Sequence, residues 1–235
     1  HRSPPRRPAG LGRAWGTEKP GPGGLREFTQ CDAATVGSAR PEADAEIIAM
    51  AAEGLAAAGL PADSAVIRIN NRKLLNGLLA TAGVSDERQK LGVLRAVDKL
   101  DRLGPDGVRL LLGEGRKDES GAFTKGAGLN AAAAEAVLAF TAAGAGGGDR
   151  SSVLGRLADI IGGSAEGDAG LAELAAIDGA LKNLGVSEAQ AVFEPAIVRG
   201  LEYYTGAVFE AELLLETTDE KGHPVRFGSI GGGGR

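Results

Sequence analysis

Val198-Arg199-Gly200-Leu201-Glu202-Tyr203-Tyr204-Thr205-Gly206 gathers, near the C-terminal end of the chain, the side chains best suited to chemistry. Arg199 is a permanent cation with a planar fork of N–H donors. Tyr203 and Tyr204 are adjacent ring hydroxyls and the two tyrosines of the whole chain. Gly200 and Gly206 lack a Cβ, so backbone there can come close to a ligand. The plain alternative is an ordinary strand with a salt-bridged Arg and two Tyr facing opposite sides.

A second stretch with chemical potential runs from Trp15 to Asp32. Its Pro20-Gly21-Pro22-Gly23-Gly24 centre must be a loop, because proline has no N–H and glycine tolerates positive φ. Short strand-capable flanks make it a hairpin with a long tip. Such a loop could cover a nucleotide, with Phe28 offering a ring for stacking and Glu18, Arg26 and Gln30 offering polar contacts; a plain surface hairpin fits equally. The third stretch, Gly228-Ser229-Ile230-Gly231-Gly232-Gly233-Gly234-Arg235, reads in isolation as a flexible tail.

Other elements must position these three. Residues 1–14 carry no periodicity and read as irregular. Pro41–Ala58 has helical spacing, with Glu42, Asp44 and Glu46 where the helix dipole favours anions, and Gly59 is a natural stop. Ala65–Asn70 alternates like a strand, and Asn70 or Asn71 can cap the helix through Leu74, Leu75, Leu78 and Leu79. Asn70-Asn71-Arg72-Lys73 reads as a cap plus solvated charges. From Asp86 to Gly185 the pattern is almost wholly helical, punctuated at Gly104-Pro105, Gly144–Gly148 and Gly162-Gly163. Within it, Gly113–Gly121 reads as a solvated linker; the alternative is that this block clasps RNA through Arg116, Lys117 and Lys125. After Gly185 the period becomes extended, with strands at Ala191–Glu194 and Val208–Glu216 and a hairpin return through Val225–Ile230. An antiparallel sheet is thus split in sequence by helices.

Bulk properties narrow the function. A chain of 235 residues, 43% of them hydrophobic, can bury a sizeable core. With aromatics at 4%, that core must rely on Ala, Leu, Val and Ile. A net charge of -5 excludes a global basic field for nucleic acid. The single cysteine, Cys31, rules out an internal disulfide framework, and two histidines cannot build a His-rich metal centre. No apolar run long enough for a membrane span is present, and a cytoplasmic location is expected. The opening without Met and the ending inside a glycine run suggest a piece of a longer protein.

Three motifs now point one way. Val198–Glu210 resembles the histidine-specific signature of the histidyl-tRNA synthetase family. Glu18-Lys19-Pro20-Gly21-Pro22-Gly23 with Arg26–Asp32 resembles the motif-2 strand-loop-strand of that class II family, and Gly228–Arg235 resembles its glycine-rich strand and loop. The resemblance covers about Trp15 to Arg235. It implies an α+β fold, a class II synthetase-like antiparallel sheet flanked by helices and interrupted by an α-helical insertion. The expected division is 1–84 for the motif-2 part of the core, with 1–14 irregular, 85–185 for the insertion, and 186–235 for the rest of the core.

The resemblance also implies an activity. Histidine and ATP would give histidyl-adenylate, and the histidyl group would pass to the terminal ribose of tRNA(His). By that likeness Arg199 is catalytic and, with Gln30, Tyr203 and Tyr204, binds histidine. Glu18, Arg26 and Phe28 bind ATP, and Gly231, Gly232 and Gly233 let the sheet approach the substrate. Mg2+ would travel with the ATP phosphates rather than sit in a protein site. The family is expected to be homodimeric, but its dimer-forming motif 1 is not in this sequence.

Some positions depart from the family pattern. Gly16 stands where the motif-2 arginine is usual, Gly24-Leu25 where the loop has Arg-Phe, and Ala34 where an acidic residue holds the substrate's amino group. A missing guanidinium opposite developing phosphate charge costs orders of magnitude in rate, so a weak or inactive catalytic segment is expected. The alternative is a non-catalytic, histidine-binding paralogue of the kind that regulates ATP phosphoribosyltransferase. The helical insertion and the motif-2 loop favour the synthetase, because the regulatory protein has no tRNA or ATP chemistry to serve.

Overall fold

The computed structural model describes residues 5–17, 25–61, 63–118, 121–161, 163–198, 200, 203–215, 217–218, 222–225 and 227–235. The order is β1 (Ala9–Trp15), β2 (Glu27–Ala33), α1 (Pro41–Ala57), β3 (Ala65–Asn71), α2 (Arg72–Thr81), α3 (Glu87–Val97) and α4 (Leu100–Leu112). Then follow β4 (Gly115–Lys117), β5 (Phe123–Lys125), α5 (Ala131–Ala142), α6 (Arg150–Ile161), α7 (Ala165–Asn183), β6 (Ala191–Phe193), β7 (Ala207–Leu213), β8 (Thr217–Thr218), β9 (Pro224–Val225) and β10 (Gly228–Gly234).

Local chemistry sets most helix starts. Asn71 accepts from the Lys73 amide to open α2, Asp86 from Arg88 and Gln89 to open α3, Asn130 from Ala133 to open α5, and Ser164 from Gly167 to open α7. Helix α1 has no such cap but begins on Pro41, with Glu42 and Asp44 in its first turn. Gly59, at φ +88°, follows its end. Helix α4 is kinked where Gly104 sits at φ 65° ahead of Pro105.

A four-stranded sheet, ordered β10-β7-β3-β6, carries the architecture. The pairs β10–β7 and β7–β3 are antiparallel, as expected, but β6 joins β3 in parallel. The reason is topological: the chain returns to β6 only after the whole run of helices, and a long helical crossover can deliver a parallel strand. Cross-strand register puts Ile67 beside Ala191 and Ala211, and Ile69 beside Phe193 and Phe209. These side chains are buried and share one core with Ala45 and Ile48 of α1 and with Leu174, Ile177 and Leu181 of α7. The core continues without a break into α3, α4, α5 and α6 through Val93, Val108, Val137 and Leu157.

Glycine brings α2 and α7 together. A Cβ on Gly77 would lie 2.6 Å from the backbone of Gly167, and one on Gly170 would lie 2.8 Å from Leu74. At the far side of α7, Arg150 is 2% exposed yet fully engaged. It donates to Asp178 at 2.6 Å, to Ala191 O at 2.8 Å and to Ser187 O at 3.1 Å, joining α6, α7 and the entry to β6.

Two expectations need correction. Residues 9–15 are not irregular: β1 pairs antiparallel with β2 from Ala9↔Ala33 to Trp15↔Glu27, and Arg6 bridges Val36. Their composition shows no alternation because both faces of this strand are largely exposed, so nothing selects a period-2 pattern. Nor do residues 115–117, inside the stretch read as a linker, belong to a plain linker. The strands β4 and β5 make a hairpin that carries Arg116, Lys117, Lys125 and an exposed Phe123. Gly115, at φ +122°, allows the close pairing, since a Cβ there would strike Thr124 O at 2.2 Å. Among the described residues no helix is long and apolar enough to cross a membrane.

Candidate functional site

Between β6 and β7 the described residues 194–198, 200 and 203–206 form a loop, and among them the plain-strand reading of Val198–Gly206 fails. Gly200 adopts φ 62°, which turns the chain, and the ring of Tyr204 folds back over it. A Cβ on Gly200 would lie 2.1 Å from Tyr204 Cδ2. Glycine is therefore required there both for φ and for space. Tyr203 stacks on Tyr204 with ring centroids 4.3 Å apart and planes tilted by 53°. Tyr203 is 68% exposed, while Tyr204 is half-buried.

Strand β10 supplies the other side of the Tyr204 seat. A Cβ on Gly234 would lie 2.8 Å from Tyr204 Cγ and from Ala207 O, and one on Gly233 would lie 2.9 Å from the Phe209 ring. The glycine run is thus a paired strand and not a flexible tail, its lack of side chains giving room to two rings from its neighbours. Beyond it, Arg235 locks the end. Its amide donates to Ala207 O and its carbonyl accepts from Thr205, each at 2.8 Å. Its guanidinium reaches Asp44 at 3.0 Å and Arg40 O at 2.7 Å, tying the loop to the start of α1. Burial raises the Asp44 carboxyl above its ordinary range despite the Arg235 charge.

The corner from β3 into α2 holds the loop from beneath. Asn70 Nδ2 donates to Pro195 O at 2.9 Å and to Ile197 O at 2.8 Å. The Arg72 guanidinium donates to Gly200 O at 2.7 Å, and its amide to Gly206 O at 2.9 Å. Asn71 and Lys73 both donate to Glu173 of α7, at 2.7 and 2.5 Å. Asn70, Asn71 and Arg72 are buried, so the reading of this tetrapeptide as a cap with solvated charges is right for Asn71 and wrong for Arg72. The missed signal was an Asn-Asn-Arg run at a strand-to-helix switch, where three hydrogen-bonding side chains are more than a cap requires.

On the sheet face that carries Asn70, charge is concentrated. Arg68 donates to Glu212 at 2.6 Å and reaches Glu194 at 3.5 Å, and it stands opposite Glu210. Burial raises the Glu194 carboxyl above its usual range. This partly buried acidic and basic cluster borders the Tyr204 loop, and the sequence reading did not single it out.

The hairpin residues stand apart from that loop. Phe28, Gln30 and Asp32 alternate onto one face of β2, and Gln30 donates to Asp32 at 2.8 Å. Phe28 is 41% exposed. Arg26 is exposed, and its carbonyl accepts from Gly16 at 2.9 Å. A Cβ on Gly16 would meet Phe28 only at 3.6 Å, an ordinary contact, so the backbone there has room for a Cβ. The hairpin residues Gly10, Leu11, Cys31 and Asp32, with Ala34 just after β2, border a cavity of about 950 Å3. Tyr204, Gly231, Gly232 and Gly233 line its far wall, and Asp44, Ile47 and Met50 of α1 line its floor. Arg199 and Glu18, with Gly24, lie outside the described residues. Of the remaining site residues, Tyr204 and the glycines Gly231, Gly232 and Gly233 are brought together at this cavity, whereas Phe28 and Gln30 are not among the residues that line it.

Comparison with known proteins places the chain. The family model described as Histidyl-tRNA synthetase matches residues 1–212. The histidine–tRNA ligase of Caulobacter vibrioides is 69% identical over 225 residues, which is 96% of this chain and 45% of that protein. That of Paracoccus denitrificans is 53% identical over 234 residues, 99% of this chain and 47% of that one. The solved histidyl-tRNA synthetase of Nostoc sp. PCC 7120 superposes with a TM-score of 0.71 at 28% identity, over 88% of this chain and 44% of its own. A Bacillus halodurans protein described as an ATP phosphoribosyltransferase regulatory subunit/histidyl-tRNA synthetase has a TM-score of 0.70 at 22% identity, covering 95% and 50%, and shares the fold. The chain spans about half the length of the curated relatives it matches. With its signature loop, glycine strand and hairpin in the order that the sequence suggests, this chain belongs to the histidyl-tRNA synthetase family.

Proposed function

We propose that this chain is part of a histidine–tRNA ligase, in which histidine and ATP form histidyl-adenylate and the histidyl group then passes to tRNA(His). The observation that carries the reading is the seat of Tyr204, pressed between Gly200 and Gly234 in a loop whose carbonyls at Pro195, Ile197, Gly200 and Gly206 are held by Asn70 and Arg72. A loop held at these carbonyls suits a pocket for a small, flat imidazole, because less ordering remains to be done when the ligand binds. In this reading Tyr203 and Tyr204 shape the imidazole pocket, Gln30 contacts histidine, and Arg199 holds the carboxylate and the α-phosphate. Arg199 would also stabilise the charge that grows on the phosphate oxygens during in-line attack.

For the nucleotide, Phe28 offers its exposed ring to adenine, with Glu18 and Arg26 as polar partners. Gly231, Gly232 and Gly233 give the substrate access to the sheet. Mg2+ belongs to the ATP substrate in this reading. Residues 85–185 form the insertion, with Arg116 and Lys117 on its hairpin as candidate tRNA contacts, and the parent protein works as a cytoplasmic homodimer. High identity to proteins named histidine–tRNA ligase supports this over the regulatory alternative.

Gly16 and Ala34 leave the phosphate and the amino group without their usual partners, so histidine-dependent ATP–pyrophosphate exchange by this chain is expected to be weak. Gly16→Arg combined with Ala34→Glu in a full-length context should raise it at least tenfold. No exchange and no histidine binding after that restoration would sink the synthetase reading.

A further inference from the structure

Arg72 is placed oddly for a residue that merely stabilises the fold. It is 6% exposed, and its Nη2 donates to Gly200 O at 2.7 Å. Among the described residues Nε and Nη1 are buried without a hydrogen-bond partner. Burial also weakens the proton affinity of the group. A buried guanidinium compensated by one carbonyl is costly, and an apolar side chain of similar volume at such a position is commonly neutral or stabilising.

What Arg72 does hold is the turning point of the Tyr loop. Gly200 O is the carbonyl of the residue on which the Tyr204 ring rests, and the Arg72 amide fixes Gly206 O at the loop's exit. Asn70 fixes Pro195 O and Ile197 O at its entrance. Two residues of one rigid strand-to-helix corner thus hold four carbonyls spread from 195 to 206. The corner is anchored in turn through Asn71 and Lys73 to Glu173 of α7.

We propose that Arg72, with Asn70 beside it, is a positioning residue that sets the Tyr203–Tyr204 pair for histidine before the substrate arrives. The inference rests on the reading of this loop as the histidine site. It makes a demand that a structural role does not: replacing Arg72 leaves stability unchanged or higher and yet loosens the loop and weakens the ligand.

The test compares the chain with Arg72→Met and Arg72→Lys by thermal unfolding, by hydrogen exchange of peptides covering 196–206, and by calorimetric titration with histidine. For Arg72→Met the expected result is a midpoint equal to or above the parent's, loop exchange at least tenfold faster with α2 and α7 unchanged, and histidine affinity at least tenfold lower. Arg72→Lys, which keeps a charge and N–H donors on a single nitrogen, should lie between the two. Unchanged loop exchange in a folded variant overturns the proposal. So does faster exchange throughout α2 and α7 with a lowered midpoint, which marks a structural role, and so does a looser loop with undiminished affinity. If Arg72→Met does not fold, Arg72→Lys is judged by the same criteria. A parent chain that fails to bind histidine refutes the functional reading, while loop exchange in the variants still decides whether Arg72 holds the loop.

Discussion

The loop from Glu194 to Gly206 and the hairpin of β1 and β2 carry the two halves of the proposed site, and they are built on opposite terms. The loop rests on a buried corner, with Asn70, Arg72 and Arg235 binding its backbone and two glycines shaped around Tyr204. The hairpin is exposed on both faces of both strands, and Leu11 and Trp15 stand in solvent at 75% and 71% exposure. Its own ladder of backbone hydrogen bonds holds it, with little apolar burial added. The contrast teaches that a ring or hydroxyl in the loop is oriented by the core, whereas one on the hairpin is oriented by the hairpin alone. Recognition by the loop should therefore depend on core integrity, and contacts from the hairpin should be separable from stability.

The largest effect that tests this contrast lies in the core. Arg150→Ala would remove one of the two cations that hydrogen-bond Asp178 and leave three carbonyls short of a donor, and should cost about 3–5 kcal/mol in chemical denaturation. Trp15→Ala on the hairpin should change stability by no more than about 0.5 kcal/mol. Comparable losses in the two variants would break the distinction.

Acid sharpens the same comparison. Burial alone would raise the Asp178 carboxyl, but hydrogen bonds from Lys182 and Arg150, with their charges, outweigh it and hold the group below the usual carboxylate range. A carboxyl lowered in the folded state contributes stability that is complete above its unfolded pKa of about 3.9 and is lost as pH falls through the folded value. The denaturation midpoint should accordingly decline below about pH 4. The part of that decline due to Asp178 should be missing in Asp178→Asn, whose midpoint at neutral pH should be lower than the parent's. An identical acid limb in the variant would remove Asp178 from the account.

The smallest effect on stability belongs to Phe28. Phe28→Ala should leave the unfolding free energy within about 0.5 kcal/mol of the parent, while a fluorescent ATP analogue binds at least about fivefold more weakly, the loss of a stacking partner. Unchanged nucleotide affinity would separate the hairpin face from the proposed ATP site.

Much of this organisation was legible in the chain. Asn71 and Asn130 mark helix starts because a short carbonyl side chain there satisfies an orphan amide, and Gly59 and Gly104 mark breaks through positive φ. The order of signature, hairpin and glycine strand was readable as motif and sufficed to suggest the family. Strand β1 was not readable, since Ala9-Gly10-Leu11-Gly12-Arg13-Ala14-Trp15 has neither alternation nor high β propensity and becomes a strand only through β2. Nor was the role of Arg72: on a helical pattern an Arg beside a Lys looks solvated, and only the loop folded over it buries the guanidinium.

By itself the sequence determined what depends on neighbours along the chain: helix starts, turns, the apolar stripes of α2 and α7, and the residue types able to meet an imidazole or a nucleotide. Tertiary structure alone decided what depends on partners distant in sequence. It joined β6 to β3 in parallel, made the glycines of β10 a bed for Tyr204 and Phe209, and brought Arg72 to a carbonyl 128 positions away. The physical reason is the range of the forces involved. Caps and turns close within a few residues, while burial and the hydrogen bonds it compels are settled only when remote segments exclude water from one another.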